Sequence, residues 1–186
     1  MIRRLLPLLL VALATLGLAA CGDKPATIAK GESEAEYVTL GKLQYQVQIS
    51  RQLNPAEVGD RDNLVGLAPA DRAITGKQVW FGVWIRVFNK SGKPQRSAET
   101  FKIVDTRGRE YLPVVQASVN RVAYRPETVA DQSQLPQPGS LADGSSTSGA
   151  LLLFKLDVDA LDFRPLEFAF SSSELGAAES TIRLDV

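Results

Sequence analysis

The chain of 186 residues carries 21 Lys and Arg against 21 Asp and Glu, contains no histidine and has a single cysteine. With 45% hydrophobic and 23% charged residues it has a globular balance, and its size suits one domain behind an export segment. A formal net charge of zero argues against a nucleic-acid partner, and the missing histidine excludes Ser-His-Asp triads, His-based acid–base pairs and His-ligated zinc or copper.

The N-terminus reads Met1-Ile2-Arg3-Arg4, followed by an apolar run of 14 residues from Leu5 to Leu18, then Ala19-Ala20-Cys21. A basic start, an apolar stretch and small residues before a cut site describe a secretory signal peptide. As a helix the run spans roughly 21 Å, short of the roughly 30 Å hydrocarbon core of a bilayer. Leu18-Ala19-Ala20-Cys21 resembles the bacterial lipoprotein processing box, in which the cysteine sulfur receives a diacylglyceryl group and cleavage falls just before it. The resemblance implies removal of residues 1–20, lipidation of Cys21 and a firm membrane anchor, since two or more acyl chains hold where one is marginal. Residues 21–36 are polar and lack periodicity, so they are expected to tether the anchor to a domain over 37–186.

From Tyr37 onward, period-two alternation dominates. Leu43-Gln44-Tyr45-Gln46-Val47-Gln48-Ile49 predicts a strand with one wet face. Asn54 to Lys77 reads as a loop with at most one helical turn, beginning at Asn54-Pro55-Ala56-Glu57. Val79 to Phe88 is the strongest strand, with Val79, Phe81, Val83, Ile85 and Val87 on one face and Trp80, Gly82, Trp84, Arg86 and Phe88 on the other. A hairpin is written in Phe101–Asp105, the turn Thr106-Arg107-Gly108 and Arg109–Leu112, with Gly108 suited to a left-handed position. Val119 to Gly149 predicts a long connection. Alternation returns in Ala150–Leu156, Leu166–Phe170 and Ile182–Val186. Short strands joined by turns, without a long helical period, predict an all-β antiparallel sandwich of about seven strands.

Two features invite a functional reading. Asp157-Val158-Asp159-Ala160-Leu161-Asp162 spaces carboxylates as calcium loops do, but it lacks their glycine and closing glutamate, and a polar turn is the favoured reading, with no metal. Trp80 and Trp84 share a strand face about 13 Å apart, with Phe88 beyond. On an open face these three form a candidate binding row for a sugar, a peptide or a protein, because Trp is enriched in binding hot spots. If a loop or the second sheet covers that face, they are core.

The order of the pieces Leu40–Tyr45, Val87–Pro94, Phe101–Tyr111, Asp143-Gly144, Gly149–Phe154 and Leu166–Phe168 resembles the secreted immunoglobulin-like domains of bacterial lipoproteins. These are grouped with the immunoprotective extracellular antigens and an associated domain of unknown function. The resemblance covers roughly residues 37–172 and implies an immunoglobulin-like β-sandwich outside the membrane, with no reaction attached. The only cysteine is the expected lipid site, which leaves no thiolate nucleophile, and no catalytic motif or cofactor signature is present. The expected product is a lipid-anchored, extracytoplasmic, non-catalytic binding module, on the outer face of the plasma membrane or on the outer membrane of a two-membrane envelope. Its partners are the membrane, through Cys21, and an envelope protein or cell-wall component. The alternatives are a structural envelope protein and a hydrolase accessory domain.

Overall fold

A computed structural model describes residues 27–145 and 147–186. Cys21 and the expected signal peptide at 1–20 lie outside the described residues. Twelve strands follow in chain order: β1 (Lys30–Gly31), β2 (Val38–Leu40), β3 (Leu43–Leu53), β4 (Gln78–Asn89), β5 (Gln95–Arg96), β6 (Thr100–Val104), β7 (Glu110–Tyr111), β8 (Thr128–Val129), β9 (Ser133–Leu135), β10 (Ala150–Asp157), β11 (Leu166–Ser171) and β12 (Glu179–Leu184). Two short helices, α1 (Val58–Asn63) and α2 (Leu141–Gly144), lie in the connections.

One five-stranded sheet has the order β1-β12-β11-β6-β7. The other runs β10-β4-β3-β2, with β9 beside the far end of β4, while β5 and β8 pair separately. All pairings between these strands are antiparallel except the short β1–β12 contact. The fold is an antiparallel β-sandwich. It has more strands than the seven expected mainly because β1, β5, β8 and β9, only two or three residues long, are drawn from segments without alternation, whereas β7 is the second arm of the expected hairpin.

The alternating residues face each other across the sandwich. Phe81, Val83, Ile85 and Val87 of β4 meet Phe101, Phe168 and Phe170 of the opposite sheet in one core. Phe101 and Phe168 stack at 5.7 Å between ring centres, and Tyr45 lies 4.6 Å from Phe170. Each fully buried ring or aliphatic side chain contributes about 1.5–3 kcal/mol. Two phenols inside this core hold the backbone of one residue: the Ala98 N–H donates to Tyr45 Oη at 2.7 Å, and Tyr124 Oη donates to the Ala98 carbonyl at 2.8 Å. Burial pushes both phenols above the usual tyrosine range.

Three expectations change. Part of the stretch expected as a tether is paired with the sandwich: Ile28 accepts from the Thr39 N–H at 2.6 Å, β1 pairs with β12, and the Glu34 carboxylate takes the Ser50 N–H at 3.1 Å. Residues 28–36 therefore belong to the sandwich, held by backbone pairing of residues 28–31 and by the Glu34 side chain. The expected helix turn at Asn54 falls later, at Val58–Asn63, because the Asn54 N–H donates to Asp60 at 2.8 Å and its side chain caps a turn through the Ala56 N–H. Finally, alternation in β3 breaks at a bulge: Val47 pairs with Ile85 but Ile49 with Trp84, leaving Gln48 extra. Past the bulge Ser50 points inward, while Ile49 is exposed and Leu53 joins the outer face.

Both margins of the sandwich are closed by single segments. Residues 28–31 link β2 to β12, through Ile28 on Thr39 and Ala29 on Thr181. After β7 the chain crosses to the other sheet, where the Val114 N–H donates to Leu153 and Leu151 exchanges bonds with Val122 and Tyr124. This crossing begins a strap, residues 112–126, that lies over the outer face of the β10-β4-β3-β2 sheet.

Candidate functional site

The site is built on that outer face. Trp80 and Trp84 point outward from β4 on either side of Gly82, beside Leu53, Leu151 and Leu153. Leu64, Leu67 and Ile74 of the Asn54–Lys77 connection and Val114 and Val122 of the strap close over them. Each indole is 2% exposed, so the two are the centre of a second, smaller core and not an open row. Phe88, the third member of the expected row, is half-buried at the β9 end, edge-on to Tyr37 at 5.6 Å and beneath the Arg86 guanidinium. The three aromatics therefore share no platform.

What the outer face presents instead is an open cleft of about 440 Å³, with Trp84 at its base. Arg51 of β3, the register partner of Gly82 on β4, lies over the Trp84 ring at 5.2 Å. Its guanidinium grips Asp60 of α1 with two hydrogen bonds, at 3.1 and 2.6 Å. The Arg51 hydrogen bonds, with help from the Asn54 N–H, outweigh burial and hold the Asp60 carboxyl below its usual range. Asp60 is thus an ionised acceptor that fixes Arg51 in place.

One wall of the cleft is α1 with the chain after it, and the other is the strap. Gln116 Nε2 donates to the Asn63 and Val65 carbonyls at 2.7 and 3.0 Å, and Asn120 Nδ2 reaches the same two oxygens at 3.2 and 3.1 Å. Gly66, at φ +84°, packs against the Ala117 backbone, where a Cβ would come within 3.0 Å of the carbonyl oxygen. These contacts align the walls and leave Val65, Val119 and Leu141 on the rim, 42%, 66% and 56% exposed. Asp62 and Arg121 line opposite walls. A second cavity of about 290 Å³ adjoins at Asn120 and Arg121 and includes Arg125 and Glu127. Aliphatic surface beside charged groups of both signs suits the binding of a partially charged, partially apolar ligand.

In the Asp157–Asp162 segment β10 ends in a short helical turn, Val158–Asp162, and the Asp157 and Asp159 carboxylates already have partners. Arg109 reaches Asp157 at 3.1 Å and Asp159 at 2.7 Å, while Arg107 reaches Asp159 at 3.1 Å. Both arginines also hold Asp105, whose side chain is fully covered. Among the described residues no group of three or more His, Cys, Asp or Glu is placed to hold a metal ion, and no helix is long and apolar enough to cross a membrane.

Of the cleft residues, the sequence singled out Trp84 alone. Arg51, Asp60, Val65, Val119, Arg121 and Leu141 come from four separate stretches of chain without a common motif.

No family model matches the sequence, and neither does any curated protein. Among solved structures, the chain is similar to the yjhA protein from Bacillus subtilis, with 9% identity and a TM-score of 0.55 over 83% of this chain and 99% of that one. A proposed lipoprotein (ycdA) from Bacillus subtilis gives 11% identity and a TM-score of 0.49 over 83% of this chain but 39% of that one. An uncharacterized β-sandwich protein from Clostridium difficile gives 6% identity and a TM-score of 0.42 over 83% and 95% of the two chains. The likeness to the first of these is one of fold, and it identifies the architecture as one found in another bacterial protein.

Proposed function

We propose that the chain is a lipid-anchored, extracytoplasmic binding module without catalytic activity, held to an envelope membrane through Cys21 and receiving a partner in the cleft above Trp84. The observation that carries the binding reading is the grouping of Val65, Val119 and Leu141, all exposed, around a recess of about 440 Å³. Large aliphatic side chains gathered at a concavity mark a site of interaction, because water leaves them favourably when a partner arrives. The anchor rests on Arg3-Arg4, the apolar run and the Leu18–Cys21 box. Resemblance to the immunoglobulin-like domains of the immunoprotective extracellular antigens supports a place outside the membrane. A structural envelope spacer is the second reading, favoured by the burial of both tryptophans.

The test replaces Val119 with a photo-crosslinking residue in the full chain in its native cells, with exposed Glu174 as the control position. A discrete adduct from position 119, identified by mass spectrometry and reduced by Leu141→Asp, is the expected result. Identical adducts from both positions would favour the spacer. The anchor is checked separately by the mass of the peptide containing Cys21: an unmodified, unprocessed chain recovered in the soluble fraction defeats it.

A further inference from the structure

Building on the cleft reading, we infer that the ligand is an extended peptide segment of a partner protein, with an aliphatic side chain over the Trp84 floor and a carboxylate on Arg121 and Arg125. The shape comes first. The cavities of about 440 and 290 Å³ lie on either side of Asn120 and Arg121, which line both, so an extended chain crossing Arg121 meets the two in turn. Neighbouring side chains on one side of an extended segment stand about 6.6 Å apart, which lets one occupy the aliphatic recess while the next meets the guanidinium.

Charge selects the class of that next residue. The strap from Leu112 to Pro126 contains Arg121 and Arg125 and no acidic residue; Glu127 follows it and lines the second cavity, which leaves two guanidinium groups against one carboxylate there. Both arginines are exposed, and neither forms an ion pair among the described residues; Arg125 donates to the Gln116 carbonyl at 3.0 Å. Arg51, by contrast, is already neutralised by Asp60. A guanidinium without an acid matches a carboxylate with two parallel hydrogen bonds. Asp62 on the opposite wall repels an acid there, so the ligand carboxylate is directed to the strap side.

The probe is a fluorescein-labelled, N-acetylated octapeptide of repeated Leu-Ser-Glu-Ser, which sets Leu and Glu side by side on one face (Leu/Glu), titrated by anisotropy with the detergent-solubilised full chain. Repeats of Leu-Ser-Lys-Ser (Leu/Lys) and Ser-Ser-Glu-Ser (Ser/Glu) are the comparisons. The expected order is Leu/Glu tighter than either comparison by at least about tenfold, with Arg121→Glu lowering Leu/Glu affinity about tenfold, Arg121→Lys lowering it less and Asp62→Asn raising it two- to threefold. Unchanged melting of each variant shows that the fold is intact. Equal binding of all three peptides, or affinity unmoved by Arg121→Glu, overturns the inference. So does equal competition by phosphatidylglycerol vesicles, which makes the face a lipid-contact surface. If the peptide preference fails while Val119 still gives its discrete adduct in cells, the ligand class is wrong and the binding module stands; if the adduct is also missing, both fall.

Discussion

The indole of Trp84 folds back over Gly82, so that a Cβ at position 82 would lie 2.7 Å from two of its ring carbons and 3.1 Å from Leu151 Cδ1. The bare backbone at 82 is what allows a tryptophan two residues away to lie flat beneath Arg51. Gly82→Ala must displace the ring within a packed cluster, at about 1–3 kcal/mol. The near-UV circular dichroism of the tryptophans should change and the urea midpoint should fall. In the unaltered protein, acrylamide should quench the fluorescence of Trp80 and Trp84 weakly, because both are shielded.

The bulge at Gln48 makes an uncommon prediction about deletions. Val47 faces Ile85 inside and Ile49 faces Trp84 outside, so removing Gln48 leaves every flanking side chain on its present face. The shortened chain should fold, losing about 1–3 kcal/mol with the local twist. Deleting Gln46 instead turns Leu43 and Tyr45 out of the core or forces the rest of β3 to flip. That chain should fail to fold, and a thermal melt of the two deletions separates the cases.

Tyr45 and Tyr124 link stability to alkaline pH. Burial raises both phenols, so between the unfolded pKa near 10 and the higher folded values the unfolded chain releases protons that the native chain keeps. Their contribution is fully present below pH 10 and is lost as pH rises beyond it, by up to about 1.4 kcal/mol per pH unit for each tyrosine. Urea melts at pH 9, 10 and 11 should show this decline, and Tyr124→Phe should flatten it.

At the β6–β7 turn, Asp105 accepts the Arg107 and Arg109 N–H groups at 2.9 and 3.0 Å and both guanidinium groups. Asp105→Ala should cost about 2–3 kcal/mol, since it leaves turn amides and two cations without their buried acceptor. Arg107 and Arg109 in turn occupy Asp157 and Asp159. Millimolar calcium should therefore leave the melting temperature of the unaltered protein where it was.

The parts of the fold that were legible in the sequence are those where one face is uniformly apolar. β4, β10 and β11 follow from the alternation of Val83 and Ile85, Leu152 and Phe154, and Phe168 and Phe170. The hairpin turn was legible in Gly108, which adopts φ +81°. The bulge was hidden because Ile49 continues the apolar alternation by type although it stands on the outer face. β1 was hidden because Lys30 and Gly31 are held by backbone bonds, which side-chain pattern does not record. For the cleft, Trp80 and Trp84 pointed to the correct face. Only tertiary contact between Arg51, Asp60 and the strap shows that the indoles are covered and that the aliphatic rim above them is what meets solvent.

The short run that stitches β2 to β12 has a consequence for proteolysis. Ile28 and Ala29 occupy hydrogen-bonding positions on Thr39 and Thr181, and Lys30–Gly31 pairs with the outer row of β12. A protease that clipped the chain at Gly31 would bare two templates onto which further copies could polymerise. The same few residues that begin the sandwich thus also guard it against becoming a fibre.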